Sequence, residues 1–339
     1  MMTKTAIFPC LLIISIFACT TKKSESTTAI GFTPYVEICD SSANQLFEVD
    51  AKVEILAEGF EWTEGPLWVD GLGLLFSDIP PNKVYKWTEA KGVELYLTPS
   101  GYTGVAERGG EPGANGLAQD KQGNLILCQH GDRRMARMAR PLTDPAAEFV
   151  TIVDNYNGKR FNSPNDACFD SRGNLYFTDP PYGLEKLMDD PLKELGFQGV
   201  YRYGSDGLLT LLDSTLSRPN GIAFSTDFQR LFVANSDPQL AIWMVYDVDE
   251  QGLLQNGRVF HDATKMAETE TGLPDGMKVD SKGNVFATGP GGVWVFNDSG
   301  MVLAKIRTGQ ATSNCAFGPG QRELFITADM YLMRVRLKG

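Results

Sequence analysis

Through most of the chain, apolar residues come in short runs broken by turn residues. Leu67-Trp68-Val69, Leu74-Leu75-Phe76, Leu125-Ile126-Leu127-Cys128, Leu175-Tyr176-Phe177, Leu231-Phe232-Val233-Ala234, Val285-Phe286-Ala287 and Leu324-Phe325-Ile326 are examples. Runs of this length, rich in β-branched and aromatic residues and bounded by Gly, Asp, Asn and Pro, predict strands. The turns Asp120–Asn124, Asp170–Asn174 and Asp280–Asn284 copy one another, and their aspartates read as structural turn residues. No stretch sustains a helical period with caps, although 184–195 could form a short helix or lid.

The pattern also repeats at longer range. An acid or amide precedes a small residue or Asp, and a hydrophobic strand follows, at Glu64-Gly65, Asn115-Gly116, Asn165-Asp166, Asn220-Gly221, Asp275-Gly276 and Asn314-Cys315. The steps are 51, 50, 55, 55 and 39 residues. Such a period, filled with strands, predicts an all-β, six-bladed β-propeller of four-stranded blades. Each repeated polar residue then begins an innermost strand, and the six side chains converge on a central pore. The last repeat is short, so Val53–Leu56 is expected to complete it and close the ring. An isolated Asx-Gly pair is usually only a turn. The shared phase is what makes this set a candidate site.

The organisation is therefore a leader, a lead-in and one closed domain. Residues 1–18 read as a signal peptide, with Lys4 ahead of an apolar run too short for a good membrane span. Ile16-Phe17-Ala18-Cys19 resembles the lipobox of bacterial lipoproteins, which would make Cys19 a lipid anchor; the alternative is a plain secretory signal cut nearby. Residues 19–50 form a polar tether and lead-in, and 51–339 the propeller. The expectation is an exported protein in the periplasm or cell envelope, touching membrane only through Cys19. A net charge of −11 argues against nucleic-acid partners, which need a basic surface. Cys39, Cys128, Cys168 and Cys315 make no CxxC pair, which argues against structural zinc. Export permits a disulfide from Cys39, though the sequence fixes no partner.

Two carboxylates, Glu64 and Asp275, with the amide oxygens of Asn165 and Asn220, make a hard oxygen cage for a divalent cation. Without a cation the two carboxylates would raise each other's pKa. Asn115 either lines the pore or holds a turn, as does Asn314. His130 is either a proton carrier or substrate contact near the pore mouth, or a plain loop histidine. Tyr182 and Tyr102 are candidate substrate platforms. His261 is placed in a linker between blades.

Glu64-Gly65-Pro66, Ser163-Pro164-Asn165-Asp166, Arg218-Pro219-Asn220-Gly221 and Leu273-Pro274-Asp275-Gly276 together resemble the senescence marker protein/gluconolactonase/luciferin-regenerating enzyme family. Phe177-Thr178-Asp179-Pro180-Pro181-Tyr182-Gly183-Leu184 is similar to its bacterial gluconolactonase branch. The resemblance spans roughly residues 50–337. It implies a central divalent ion, calcium first, with Mg²⁺, Mn²⁺ or Zn²⁺ as alternatives. Glu64, Asn220 and Asp275 would be ligands, and Asn165 would bind metal or substrate. Asp275 would be the general base that directs water at a lactone carbonyl. Asn115, Asn165, His130 and Tyr182 make up the expected substrate contacts. Ser163 stands where the animal branch has Arg, so contacts to a particular sugar do not transfer. The implied activity is opening of a lactone, most naturally a sugar lactone such as gluconolactone. The alternatives are an aryl-esterase or phosphotriesterase on the same scaffold, or a non-enzymatic binding propeller with a structural ion.

Overall fold

Six antiparallel sheets, each led by one of the repeated polar positions, surround a common axis in the computed structural model, which describes residues 31–338. The signal segment and Cys19 lie outside the described residues. The innermost strands are Thr63–Val69, Ala114–Gln119, Ala167–Phe169, Pro219–Phe224, Met277–Val279 and Thr312–Phe317. In the first blade the chain then runs outward through Gly73–Asp78, Lys83–Thr88 and Gly92–Leu97, each strand antiparallel to the last. Blades two to five repeat this path.

The sixth blade obtains its outer strand from the front of the domain. Val53–Glu58 pairs antiparallel with Tyr331–Arg336, as the short final repeat predicts. Buried Arg334 bolts this seam by ion pairs to Glu54 at 2.6 Å and Glu323 at 3.3 Å. The lead-in is more ordered than a tether. Tyr35–Ile38 adds a fifth strand to blade five, pairing with Val302–Arg307, and Arg307 holds Glu37 at 2.7 Å. Two sheet edges that would otherwise template pairing with other chains are thereby covered.

The core lies between blades. Leu75, Val84 and Leu97 of blade one pack on Leu117, Leu127 and Met138 of blade two. Phe232 and Trp243 of blade four meet Trp294 and Phe296 of blade five. Leu74, Phe76 and Trp87 meet Phe325 and Leu332 across the seam between blades six and one. His261 belongs to this packing and not to a linker. It lies in the outer strand Leu254–Asp262 of blade four, half-buried with its ring 5.0 Å from that of Phe296. Helix is confined to Thr264–Ala267 and three short 3₁₀ turns among the described residues; one of these, Leu187–Asp189, lies in the stretch 184–195. Cys39, Cys128, Cys168 and Cys315 are all free, so no disulfide joins Cys39 to another of them.

Near the axis the glycines after the pore residues have a different task from turn formation. A Cβ on Gly65, where φ is +54°, would lie 2.1 Å from the carbonyl oxygen of Asn115. A Cβ on Gly221 would lie 2.1 Å from that of Asp275. The inner strands converge so closely that each backbone leans on the next blade's pore residue. Hydroxyls tie the same contacts. Ser77 Oγ donates to Asn115 O at 2.8 Å, Thr178 Oγ1 to Asn220 O at 2.7 Å, and Ser236 Oγ to Pro274 O at 2.5 Å. Thr288 Oγ1 donates to Ser313 O at 2.9 Å, and Ser313 Oγ closes the ring on Thr63 O at 2.6 Å.

Gly221→Ala should therefore destabilise the domain by about 1–3 kcal/mol or more, the usual cost of overpacking. Urea unfolding measures it, and an unchanged midpoint would contradict the close-approach account.

Candidate active site

The pore residues are aimed by a device repeated in three blades. A polar residue at or near the end of the second strand accepts one or two backbone N–H groups from the segment just before the pore residue. Asp78 Oδ1 accepts from Glu61 N and Trp62 N, both at 3.0 Å, ahead of Glu64. Asp179 accepts from Asn162 N and Ser163 N, both at 2.8 Å, ahead of Asn165. Asn235 Oδ1 accepts from Arg218 N at 2.8 Å, ahead of Asn220. Blade five has Gly289 at that point, and there Pro274, next to Asp275, is held by Ser236 instead.

The result is one cavity of about 280 Å³, lined by Glu64, Asn115, Asn165, Asn220 and Asp275 together with Trp62, Glu111, Tyr182, Ser236 and Thr312. Five of the six repeated polar residues meet there, and Asn314 does not line the cavity. A larger groove of about 550 Å³ runs among Asp170, Asp227 and Asp249, at the opposite ends of the inner strands, and shares no residue with the cavity. Asp120, Asp170 and Asp280 close their turns as expected, each accepting from the main chain two and four residues on.

Four buried oxygens facing this centre lack a hydrogen-bond partner among the described residues: Oδ1 of Asn115, Asn165, Asn220 and Asp275. Orphaned buried acceptors are uncommon, and each costs about 1–3 kcal/mol unless something else satisfies it. The amide of Asn220 is fixed with Nδ2 donating to Ser236 Oγ at 2.9 Å, which leaves Oδ1 for the cavity. Asn314 is different: its Nδ2 donates to Glu64 Oε2 at 3.0 Å and its Oδ1 accepts from Cys315 N at 2.9 Å. It supports Glu64 and is not a wall of the cavity.

Charge sharpens the picture. Burial, then repulsion from Asp166, pushes the Glu64 carboxyl up from the ordinary value of 4.5 to about 8. Burial, then the neighbouring charges of Glu64, Asp166 and Glu111, raises Asp275 well above the usual carboxylate range. Buried Asp166 is raised chiefly by burial, with Lys278 opposing. It stands where blades one, two, four and five have glycine. Among the described residues no cluster of three His, Cys, Asp or Glu gathers for a metal. What gathers is a pair of carboxylates and three amide oxygens, with no sulfur or imidazole. Acceptor oxygens without donors, beside two carboxylates that resist being charged together, are the donor set a hard divalent cation takes.

The histidine and the aromatics fall differently. His130 is fully buried and does not line the cavity. Its Nδ1 lies 3.4 Å from Glu111 Oε2, and neither ring nitrogen makes a hydrogen bond among the described residues. Tyr182 does line the cavity, its hydroxyl 3.4 Å from Ser236 O, and burial raises its pKa. Tyr102 does not; it lies under the guanidinium of Arg108. Ser163 is buried, donating to Pro180 O at 2.6 Å. Trp62, Glu111, Ser236 and Thr312 were not among the residues expected from the sequence. Trp62 had a readable signal, standing two places before Glu64. Glu111 sits in an aperiodic glycine-rich loop and had none.

The SMP-30/Gluconolactonase/LRE-like region matches residues 62–329 of the chain. A gluconolactonase of Zymomonas mobilis is 41% identical over 301 residues, covering 86% of this chain and 83% of the relative. A pentonolactonase of Haloferax volcanii is 25% identical, covering 78% and 80%. Among solved structures, a gluconolactonase of Xanthomonas campestris superposes with a TM-score of 0.76 at 31% identity, covering 90% of this chain and 95% of that one.

The carboxylate shifts set a pH dependence. An acid whose folded pKa is raised keeps its proton longer in the folded state, so stability falls as pH rises between the unfolded and folded values. Ion-free protein should lose stability from about pH 4.5 to about 8 through Glu64, and Glu64→Gln should flatten that slope. Saturating divalent cation should also abolish it. Unfolding midpoints across the interval test this, and stability that rises through it in wild type would contradict the cage.

Proposed function

The chain belongs to the SMP-30/gluconolactonase/LRE-like family, and we propose that it is a metal-dependent hydrolase that opens lactones, above all sugar lactones of the gluconolactone type. The observation that carries this reading is the set of unpartnered oxygens around one cavity with Glu64. The names of the relatives support the sugar: gluconolactonases in two bacteria and a pentonolactonase in a third organism.

Glu64, Asn165, Asn220 and Asp275 would hold the ion, and their oxygen-only chemistry favours Ca²⁺, then Mg²⁺ or Mn²⁺, over Zn²⁺. When bound, a divalent cation offsets the repulsion between the carboxylates and polarises a carbonyl oxygen. Asp275 lies at the cavity with one oxygen uncommitted, and it takes a proton from the water directed at the lactone carbonyl. The water oxygen bonds to that carbon, the ring C–O bond breaks, and the departing oxygen is protonated to give the hydroxy acid. Asn115 and Asn165 orient the substrate, and Tyr182 supplies an apolar wall. His130 acts from behind the wall. Asn314 and Ser236 hold Glu64 and Asn220 in place.

The proposal extends to cellular position. The apolar leader and Ile16-Phe17-Ala18-Cys19 support export to the periplasm or cell envelope with a lipid on Cys19. Cys19→Ser should move the protein from the membrane fraction to the soluble fraction; unchanged fractionation would remove the anchor.

Acid release from glucono-1,5-lactone and other lactones, before and after chelation and with Ca²⁺, Mg²⁺, Mn²⁺ or Zn²⁺ restored singly, tests the activity. Hydrolysis should vanish on chelation and return with one ion. Asp275→Asn should lower kcat by about 10²–10⁴, the range for loss of a general base. Folded protein that turns over no lactone with any ion would defeat the reading.

A further inference from the structure

Glu111 is the one carboxylate on the cavity wall that the proposed cage and base do not use. It reaches the cavity from the loop between blades one and two, and that loop is fixed at several points. Gly113 N donates to Ile79 O at 2.9 Å, Arg108 Nη1 to Gly131 O at 2.8 Å, and Gly109 N to Glu185 Oε1 at 3.1 Å. Arg108 Nη2 also donates to Gly183 O. The carboxylate is only partly exposed, with buried His130 3.4 Å behind Oε2. Among the described residues neither of its oxygens accepts a hydrogen bond.

We propose that Glu111, positioned by His130, selects polyhydroxylated lactones by accepting hydrogen bonds from their ring hydroxyls. This rests on the lactone-opening reading and adds to it the residue that chooses among lactones. An ionised carboxylate is acceptor-only, so it rewards a substrate that presents O–H donors. A plain alkyl lactone has none to offer. A phosphorylated or carboxylated lactone would bring further negative charge to a wall that already carries Glu64, Glu111 and Asp275. Trp62 and Tyr182 line the same cavity, and aromatic faces complement the C–H faces of a sugar ring while the polar groups take its edge. A cavity of about 280 Å³ suits one monosaccharide-sized ring.

The test compares D-glucono-1,5-lactone with δ-valerolactone, the same ring without hydroxyls, in wild type, Glu111→Ala, Glu111→Gln and His130→Gln. In Glu111→Ala the kcat/KM ratio of the sugar lactone to the plain lactone should fall about ten- to a hundredfold, as for loss of a hydrogen bond to a charged group. The loss should lie mainly in KM. Glu111→Gln keeps one acceptor and should fall less, and His130→Gln should shift the ratio the same way. A merely structural role would depress both substrates together and leave the ratio unmoved, which would overturn the proposal. Calorimetric binding of D-glucono-1,5-lactam against δ-valerolactam separates this failure from that of the catalytic reading. Sugar lactam bound by wild type and lost in Glu111→Ala, without turnover of any lactone, would uphold Glu111 and defeat the hydrolase. Equal binding of both lactams by wild type would overturn Glu111 whatever the turnover.

Discussion

Close approach of backbones at the axis is the constraint on which the rest of the molecule depends. In four of the six blades the residue after the pore position is a glycine, and there the neighbouring strand leaves no room for a side chain. At Gly65 and Gly221 a single methyl would come within 2.1 Å of the next blade's carbonyl. Because the strands do meet, the polar side chain just before each glycine is delivered to the centre. The hydroxyls of Ser77, Thr178, Ser236, Thr288 and Ser313 then fasten blade to blade through carbonyls of the pore residues or of residues beside them. Fold and site thus share one set of contacts.

The site in turn opposes the fold. Glu64 and Asp275 are carboxylates that burial presses toward the neutral form, helped by the charge of Asp166 at Glu64 and of Glu64 at Asp275. The amide oxygens beside them are left without donors among the described residues. Such a centre persists because the inter-blade core, with clusters such as Phe232, Trp243, Trp294 and Phe296, overdetermines the positions of the inner strands. The supports reach further still: Asp78, Asp179 and Asn235 hold the segments that carry Glu64, Asn165 and Asn220, so each pore residue arrives already oriented.

Much of this was legible in the sequence, for a physical reason. A propeller repeats its geometry, so a required glycine or pore side chain recurs at a fixed phase. The repeat alone places Glu64, Asn115, Asn165, Asn220 and Asp275 together, and it calls for the closing strand. Residues outside the repeat could not. Glu111 belongs to a loop with no counterpart in other blades, and its role depends on where Arg108 and Gly113 anchor that loop. Tyr35–Ile38 offered only four residues of strand pattern, and its partner lies more than two hundred and fifty residues away. His261 looked like a linker because the turn after Tyr246 hides a fourth strand in a polar stretch. His130 and Tyr102 seemed comparable to Tyr182 in sequence, yet only Tyr182 faces the cavity, since facing is decided by loop packing and not by spacing. Asn314 shared the phase of the pore residues, but its amide is consumed in holding Glu64.

The seam between blades six and one has a consequence for the order in which the protein is made. Val53–Glu58 leaves the ribosome among the earliest strands, but its partner Tyr331–Arg336 is among the last. Glu64 follows the early strand by only a few residues, and Asn314, which orients it, belongs to the late blade. A nascent chain therefore gains its pore residues one blade at a time, from Glu64 to Asp275, while the ring is still open. The centre is completed by the final few dozen residues, all at once. Until Tyr331–Arg336 arrives, Val53–Glu58 has no strand to pair with, and until Asn314 is made, Glu64 lacks the amide that orients it.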